Sequence, residues 1–293
     1  MKELTVLSGK GGAGKTTVVA ALASLNTNTI LCDSDVDSSN LHIIANPQIV
    51  KKEIFHGGYK SSINKSVCNG CAICYEYCNF GAIFKSEDGK FNVDPNRCEG
   101  CLLCSRVCKF NAIELYQSNN NFWYISRTRF GTMVHASMAP GEDNSGRLVT
   151  VVRKKAKEEA LKVNASLILN DGPPGIGCPV IASLTGSDMA LVVAEPTISG
   201  IHDAKRVLEL IRKFNISAIA IINKSDINQE VNEQLKIVLK SSGVDILAEL
   251  PYDNIVSKAI DSGKSVTEYA PDSIVSQKLL ETCKELTLLL NRA

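Results

Sequence analysis

Gly9-Lys10-Gly11-Gly12-Ala13-Gly14-Lys15-Thr16-Thr17 follows a short apolar run, residues 3–8, and opens an apolar helix-forming stretch that reaches about Leu25. Two spaced glycines followed by Lys-Thr make the Walker A pattern, and a strand before it and a helix after it are the context that gives the pattern meaning. The glycines let backbone N–H groups close round a phosphate, and the positive end of the helix adds to their pull. In that arrangement all of 9–17 borders the nucleotide. Lys15 reaches the β- and γ-phosphates, and the Thr16 hydroxyl ligates Mg²⁺.

Outward from this loop, residues 29–32 read as a second strand that ends in Asp33-Ser34-Asp35-Val36-Asp37. The pattern weakens over 47–64, where His56-Gly57-Gly58 reads as a connector, and a cysteine-rich segment follows. After Ser118 apolar strands and amphipathic helices alternate again. Strand-like runs lie within 122–137, at 166–170, 189–194, 218–222 and 246–250; helices are expected at 146–163 and near 200–214, 227–242 and 273–290. Strand–helix alternation predicts an α/β fold with a doubly wound, mostly parallel sheet. The cysteine segment interrupts it as an insertion, which gives 1–60 and 118–293 to the main domain and 61–117 to a small α+β unit.

Eight of the eleven cysteines fall between Cys68 and Cys108. Cys68, Cys71, Cys74 and Cys78 reappear thirty residues on as Cys98, Cys101, Cys104 and Cys108, and Phe80, Ala82 and Ile83 reappear as Phe110, Ala112 and Ile113. Ligands and apolar positions repeat together, as in a duplicated module with pseudo-twofold symmetry. Cys-x2-Cys-x2-Cys-x3-Cys is the bacterial ferredoxin run, in which the fourth cysteine serves the other cluster. One 4Fe-4S cluster then takes Cys68, Cys71, Cys74 and Cys108, and the second takes Cys98, Cys101, Cys104 and Cys78. A pair of zinc sites is the competing reading. The proline usual after the fourth cysteine is replaced by Asn79 and Lys109, which removes no ligand.

Three carboxylates two residues apart at a strand end, Asp33, Asp35 and Asp37, repel one another unless a cation lies nearby. Asp171-Gly172-Pro173-Pro174-Gly175 closes a later apolar strand, and its glycines leave room for a γ-phosphate and for a loop that moves. Asn223-Lys224-Ser225-Asp226, read alone, is the NKxD signature of guanine readers.

With its additional lysine, Lys10, the glycine loop resembles the deviant Walker A of the MinD, ParA, Mrp and nitrogenase iron-protein superfamily, and the ATPase motifs run in that family's order from residue 8 to 253. The resemblance implies a homodimer through the nucleotide face, in which Lys10 crosses to the partner's nucleotide and stabilises developing phosphoryl charge. It makes 33–40 the first switch: Asp33 or Asp35 orients the attacking water, the choice remaining open, and Asp37 matches an outer-shell Mg²⁺ position. Asp171 becomes the second-switch acid that holds a Mg²⁺-bound water. Asn223 would bind adenine together with the Pro251-Tyr252-Asp253 loop, which favours ATP over GTP. Cys178 lies at the offset of a dimer-bridging cluster ligand in the nitrogenase iron protein. The loop expected to supply the second ligand, Asn144-Ser145-Gly146-Arg147, has no cysteine, and a small buried residue is the expectation for Cys178. Cys32 and Cys283 are expected to be packing residues.

At net +1 over 293 residues, the chain has no one-signed field to attract nucleic acid or an anionic membrane. No apolar stretch approaches the roughly 18–20 residues of a membrane span, the first ten residues are no signal peptide, and the thin basic face of the last helix argues for core packing. A cytoplasmic protein is expected, with an unidentified redox partner. Three functions compete: ATP-gated electron transfer, iron–sulfur cluster assembly or carriage, and a positioning switch of the MinD or ParA kind with redox-sensing clusters.

Overall fold

The computed structural model describes residues 1–139, 142 and 144–292. In chain order its elements are β1 (Lys2–Ser8), α1 (Lys15–Leu25), β2 (Thr29–Asp33), α2 (Leu41–Ala45), β3 (Gln48–Ile54), β4 (Tyr59–Ile63), α3 (Ile73–Glu76), β5 (Ile83–Lys85), β6 (Phe91–Val93), α4 (Leu103–Val107), β7 (Ile113–Gln117), β8 (Phe122–Thr128) and β9 (Gly131–Ser137). The second half holds α5 (Ser145–Lys162), β10 (Leu167–Pro174), α6 (Cys178–Leu184), β11 (Met189–Ala194), α7 (Ile198–Lys213), β12 (Ser217–Asn223), α8 (Gln229–Ser241), β13 (Asp245–Leu250), α9 (Asn254–Asp261), α10 (Val266–Tyr269) and α11 (Ile274–Arg292).

Nine strands form one sheet in the order β13-β12-β11-β1-β10-β2-β9-β8-β3. The seven from β13 to β9 pair in parallel, and β8 and β3 extend the edge antiparallel. β1 and β10 are buried over nearly their whole length, polar residues included, and β11 is a continuous apolar run, because helices cover both faces of the sheet. One covering layer holds α1 and α11, where Val275, Leu279, Leu286 and Leu290 meet Val18 and Leu22. The terminal helix is thus core packing, as expected. On the other face, Leu148, Val149, Val152 and Ala156 of α5 pack beneath Ile30, Cys32 and Ile168, while α7 and α8 cover the far half.

Two elements depart from the sequence expectation. β3 falls in the stretch where the pattern weakens; all seven of its residues are exposed, so an edge strand here carries no apolar alternation. Cys178, expected to be buried, is exposed as the first residue of α6, because the chain leaves the sheet at Pro174 and reaches the surface before the helix begins. Cys32 is fully buried, its thiol pushed up to about 12 by burial, and Cys283 is buried where Asn26 donates to its sulfur at 3.2 Å.

Between β3 and β8 the cysteine-bearing stretch packs on itself. β4 pairs antiparallel with β7, Tyr59 opposite Gln117, and β5 pairs with β6. Pairing therefore begins two residues before the boundary expected at 61. The thirty-residue repeat extends to the backbone: Asn64 N–H donates to Ala112 C=O at 2.8 Å, and Asp94 N–H donates to Ala82 C=O at 2.7 Å. Left-handed residues repeat too, with Gly70 and Ala72 answered by Gly100 and Leu102, and Gly81 by Asn111.

Candidate functional site

The glycine loop leaves the C-terminal end of β1, at the middle of the sheet, and turns into α1. Gly14 is the helix N-cap at φ 97°, with no side-chain cap. A Cβ there would run into the Asn223 amide, so only glycine fits, and the first-turn N–H groups face the cleft without a side-chain acceptor. The cleft holds about 1100 Å³ of unfilled space, open to solvent at its mouth. It is lined by Gly11, Gly12, Gly14, Lys15, Thr16 and Thr17, and across from them by Asp35, Ser38, Asn40 and Pro174. It sits at the carboxyl ends of the strands, where open α/β sheets bind ligands.

β2 and β10 are neighbours in register, with Asp33 opposite Asp171, so two acids separated by 138 positions in sequence share one strand-end row. Lys15 Nζ lies 3.3 Å from Asp171 and 3.5 Å from Asp35. The Thr16 hydroxyl donates to Asp171 at 2.8 Å. Burial works against the Lys15 ammonium, but Asp171 and Asp35 outweigh it and raise its pKa. Asp33 is pushed up to about 8, first by burial and then by the Asp171 carboxylate, although the Ser39 hydroxyl donates to it. Asp171 is raised by burial, with Lys15 and Thr16 opposing. Three carboxyl groups thus crowd round one buried ammonium beside the glycine loop, and Asp33, the one furthest from that ammonium's contacts, is the one that holds its proton.

Asp37 sits elsewhere. Its side chain borders a neighbouring hollow with His42, Tyr124 and His135, away from the cleft lined by Asp35; the turn after Asp35 points it outward. Lys10 folds back onto its own subunit. Its ammonium pairs with Glu195 at 2.5 Å and reaches Thr197 and Ser199. Glu195 also holds Lys224 at 3.1 Å, and Lys224 donates to the Gly12 carbonyl at 3.2 Å. Burial works against the Glu195 carboxylate, yet the two lysines keep it below the usual range. The sequence reading missed Glu195. Its signal is an acid at the C-terminal end of an apolar strand beside the glycine loop, visible only once β11 is known to neighbour β1.

Asn223 closes the loop from the other side, its amide donating to the Ala13 carbonyl at 2.9 Å. The Asp226 carboxylate accepts the Tyr252 N–H at 2.7 Å, which fixes Pro251-Tyr252-Asp253, while Asp253 caps α9 through Ile255 N–H.

The eight clustered cysteines gather four and four. Cys68, Cys71, Cys74 and Cys108 line one hollow with Phe110 and Ile113, and Cys98, Cys101, Cys104 and Cys78 line a second with Phe80 and Ile83. These hollows contain about 340 and 350 Å³ of unfilled space, part of it open to solvent. The fourth cysteine of each repeat borders the other repeat's hollow. Among the described residues no three His, Cys, Asp or Glu side chains close on a point tightly enough to hold a single metal ion. The thiols of each set border a space. Among the described residues no helix is long and apolar enough to cross a membrane.

A parallel sheet with a glycine loop at the end of its central strand, a buried Lys beside a half-buried Thr, and facing acids defines a P-loop nucleotide-binding protein. The family model for the CobQ/CobB/MinD/ParA nucleotide binding domain matches residues 4–266. The chain belongs to this family and is of the MinD/ParA ATPase type. An uncharacterized Methanocaldococcus jannaschii protein, MJ0578, is 32% identical over 282 residues, 91% of this chain and 92% of its own. The septum site-determining protein MinD of Buchnera aphidicola is 24% identical over 281 residues, 90% of this chain and 83% of its own. Among solved structures, MinD of Pyrococcus horikoshii complexed with Mg-ADP superposes with a TM-score of 0.61 at 18% identity, covering 98% of this chain and 96% of that one. That last likeness is one of fold.

Proposed function

We propose that this protein binds and hydrolyses ATP at the glycine loop and couples the state of that site to electron transfer through two 4Fe-4S clusters in the unit spanning about 61–117. The observation that carries the redox half is the crossed grouping of eight thiols round two hollows, which duplicated ferredoxin runs require.

At the nucleotide end the arriving phosphates take the place of Asp171 and Asp35 as partners of Lys15. The loop N–H groups and the Lys15 ammonium bind the phosphate oxygens. Thr16 and Asp171, already joined by a hydrogen bond, would hold Mg²⁺ directly or through water, and a divalent cation there would offset the crowding of Asp33, Asp35 and Asp171 and favour their charged forms. Bound Mg²⁺ supplies charge neutralisation on the transferred phosphoryl. Asp35 faces the cleft and Asp33 lies behind it with a raised pKa, which favours Asp35 as the carboxylate that orients water. Asp37, turned away, would need the loop to rearrange before serving Mg²⁺. Lys10 would leave Glu195 and cross to a second copy's nucleotide in a homodimer. Asp226 spends a carboxylate oxygen on Tyr252, which leaves it poorly placed to read guanine and supports adenine bound by Asn223 and the Pro251–Asp253 loop.

At the other end, Cys68, Cys71, Cys74 and Cys108 would hold one cluster and Cys98, Cys101, Cys104 and Cys78 the other. When bound they supply one-electron storage at low potential. Cys71 and Cys101 are exposed, so each site reaches the surface where a partner protein could exchange electrons.

Anaerobically prepared protein should contain about eight irons with matching sulfide per chain and deliver electrons to an acceptor faster with ATP than with ADP. A Lys15→Ala variant should lose that difference. Zinc in place of iron, or equal delivery in all three conditions, would end the redox reading. Cluster transfer to an apo-ferredoxin would favour the carrier function, and nucleotide-dependent surface binding that survives loss of iron would favour a positioning switch.

A further inference from the structure

Both connections of the cysteine-bearing unit are fastened to one short segment of the main body. On the way in, the Gly57 carbonyl accepts from Arg147 Nη1 at 2.6 Å, and Gly58 lies against the Asn144 amide. On the way out, Ser118 and Asn121 donate to the two carboxylate oxygens of Glu142 at 2.7 and 3.1 Å. Asn121 in turn accepts the Ala139 N–H at 3.0 Å and gives its carbonyl to Phe55 N–H at 2.7 Å. The unit stands on the approach to α5.

That same approach touches the loop after Asp171. Gly146 packs directly on the first residue of α6: a Cβ there would sit 3.2 Å from the Cys178 carbonyl oxygen and 3.4 Å from its Cβ. α6 follows directly on the turn at 175–177 that ends β10, so a shift at that end of the strand moves Cys178 against Gly146. The middle of α5 and the far end of α6 are pinned. Arg153 donates to the Ala182 and Thr185 carbonyls, each at 2.7 Å, and its guanidinium pairs with buried Glu3 of β1. With α5 anchored to the sheet at Arg153, two turns on from Gly146 and Arg147, displacement concentrates in the first turns of the helix, where those residues lie. Arg147 is neither in the cleft nor among the residues around the cysteines.

We propose that the Gly146–Arg147 step is a positioning tie that carries the state of the 171–177 segment, the end of β10 and the turn after it, to the base of the cysteine-bearing unit. The proposal rests on the nucleotide-binding reading above, and it does not need the clusters to be of any one type.

Hydrogen exchange of the full chain, read at amides 55–60 and 117–121 with Mg-ADP and with a non-hydrolysable Mg-ATP analogue, tests it. In the unaltered protein these amides should differ severalfold between the two nucleotides. In Arg147→Ala they should exchange about tenfold faster in both states, and the difference between nucleotides should vanish, while steady-state hydrolysis stays within about twofold. Arg147→Lys, which keeps one donor, should retain part of the difference; should Arg147→Ala fail to fold, a reduced difference in Arg147→Lys carries the test. A merely structural brace would change absolute exchange and leave the nucleotide dependence alone, so an undiminished dependence in both variants overturns the tie. Equal exchange in the unaltered protein, with both nucleotides bound by titration, overturns it too. Failure of either nucleotide to bind shows in the titration itself and removes the reading beneath.

Discussion

In the nine-stranded body, Leu4, Leu31, Leu169 and Leu191 are essentially inaccessible, inside continuous layers between sheet and helices. In the cysteine-bearing unit the buried cluster is Cys74, Ile83 and Phe91, and Tyr75, Tyr77, Phe80, Phe84 and Phe110 are exposed. The body carries enough buried apolar surface to fold round its own core, and its glycine loop is therefore shaped before any ligand arrives. A unit of that size with so small a core has to be held by something other than burial. On the proposed cluster reading its thiols would supply that hold, since ligand binding and folding are one free energy in small metal-held domains.

The largest expected effect tests that contrast directly. On the proposed cluster reading, Cys74→Ala should lower the bound iron and expose amides across residues 59–117. The single tryptophan, Trp123, buried in the body, should report an unchanged unfolding midpoint there. A variant that keeps the unit protected without metal would show that apolar packing suffices and would dissolve the comparison.

Lys15→Ala should reverse the pattern. Hydrolysis is expected to fall about 10³-fold through loss of phosphoryl charge stabilisation, with protection of residues 59–117 unchanged in the absence of nucleotide. Hydrolysis within tenfold of the unaltered protein would remove Lys15 from the site.

Within the body, His135 marks a weak point. Burial, with a smaller contribution from His42, lowers its imidazole to about 4; Ser126 lies 2.9 Å from Nε2 and Tyr124 stacks on the ring. The unfolded chain takes a proton near 6.5 and the folded one only near 4, so the unfolded state binds more protons in between. Stability should therefore fall as pH drops from about 6.5 to about 4, by up to about 3 kcal/mol. Denaturant midpoints followed by Trp123 fluorescence would measure it, and His135→Gln should flatten the slope. A slope that persists in the variant assigns the acid sensitivity to another group.

The smallest effect concerns Glu195, which holds Lys10 and Lys224 together. Glu195→Gln should free Lys10 from its own subunit and strengthen nucleotide-dependent self-association by about fivefold, the scale of one partly exposed ion pair. Sedimentation with a non-hydrolysable ATP analogue would register it. Weaker association would mean that Glu195 positions Lys10 for the partner, and that the pairing seen here is not a competing resting state.

The legible parts were those fixed by local chemistry. Residues 9–17 carry their strand, turn and helix in their own spacing, and the thirty-residue repeat from Cys68 to Cys108 announces which thiols belong to which set. β3 was hidden because an exposed edge strand needs no apolar alternation, and Cys178 was misjudged because its neighbours in sequence are apolar while its place is a surface helix start. Asp37 borders a different hollow from Asp35, because the turn after Asp35 points it away, and no local spacing shows that placement.

The sequence by itself determined the parallel α/β class, the phosphate loop and the four-and-four division of the cysteines, since each follows from residue type at fixed spacing. Tertiary structure decided which distant groups meet: Asp33 beside Asp171, Lys10 on Glu195, Asp226 beneath Tyr252 and Arg147 on Gly57. Those pairings depend on strand order and on how α5 and α6 lie against the sheet. Both are set by the packing of whole faces, which no local spacing encodes.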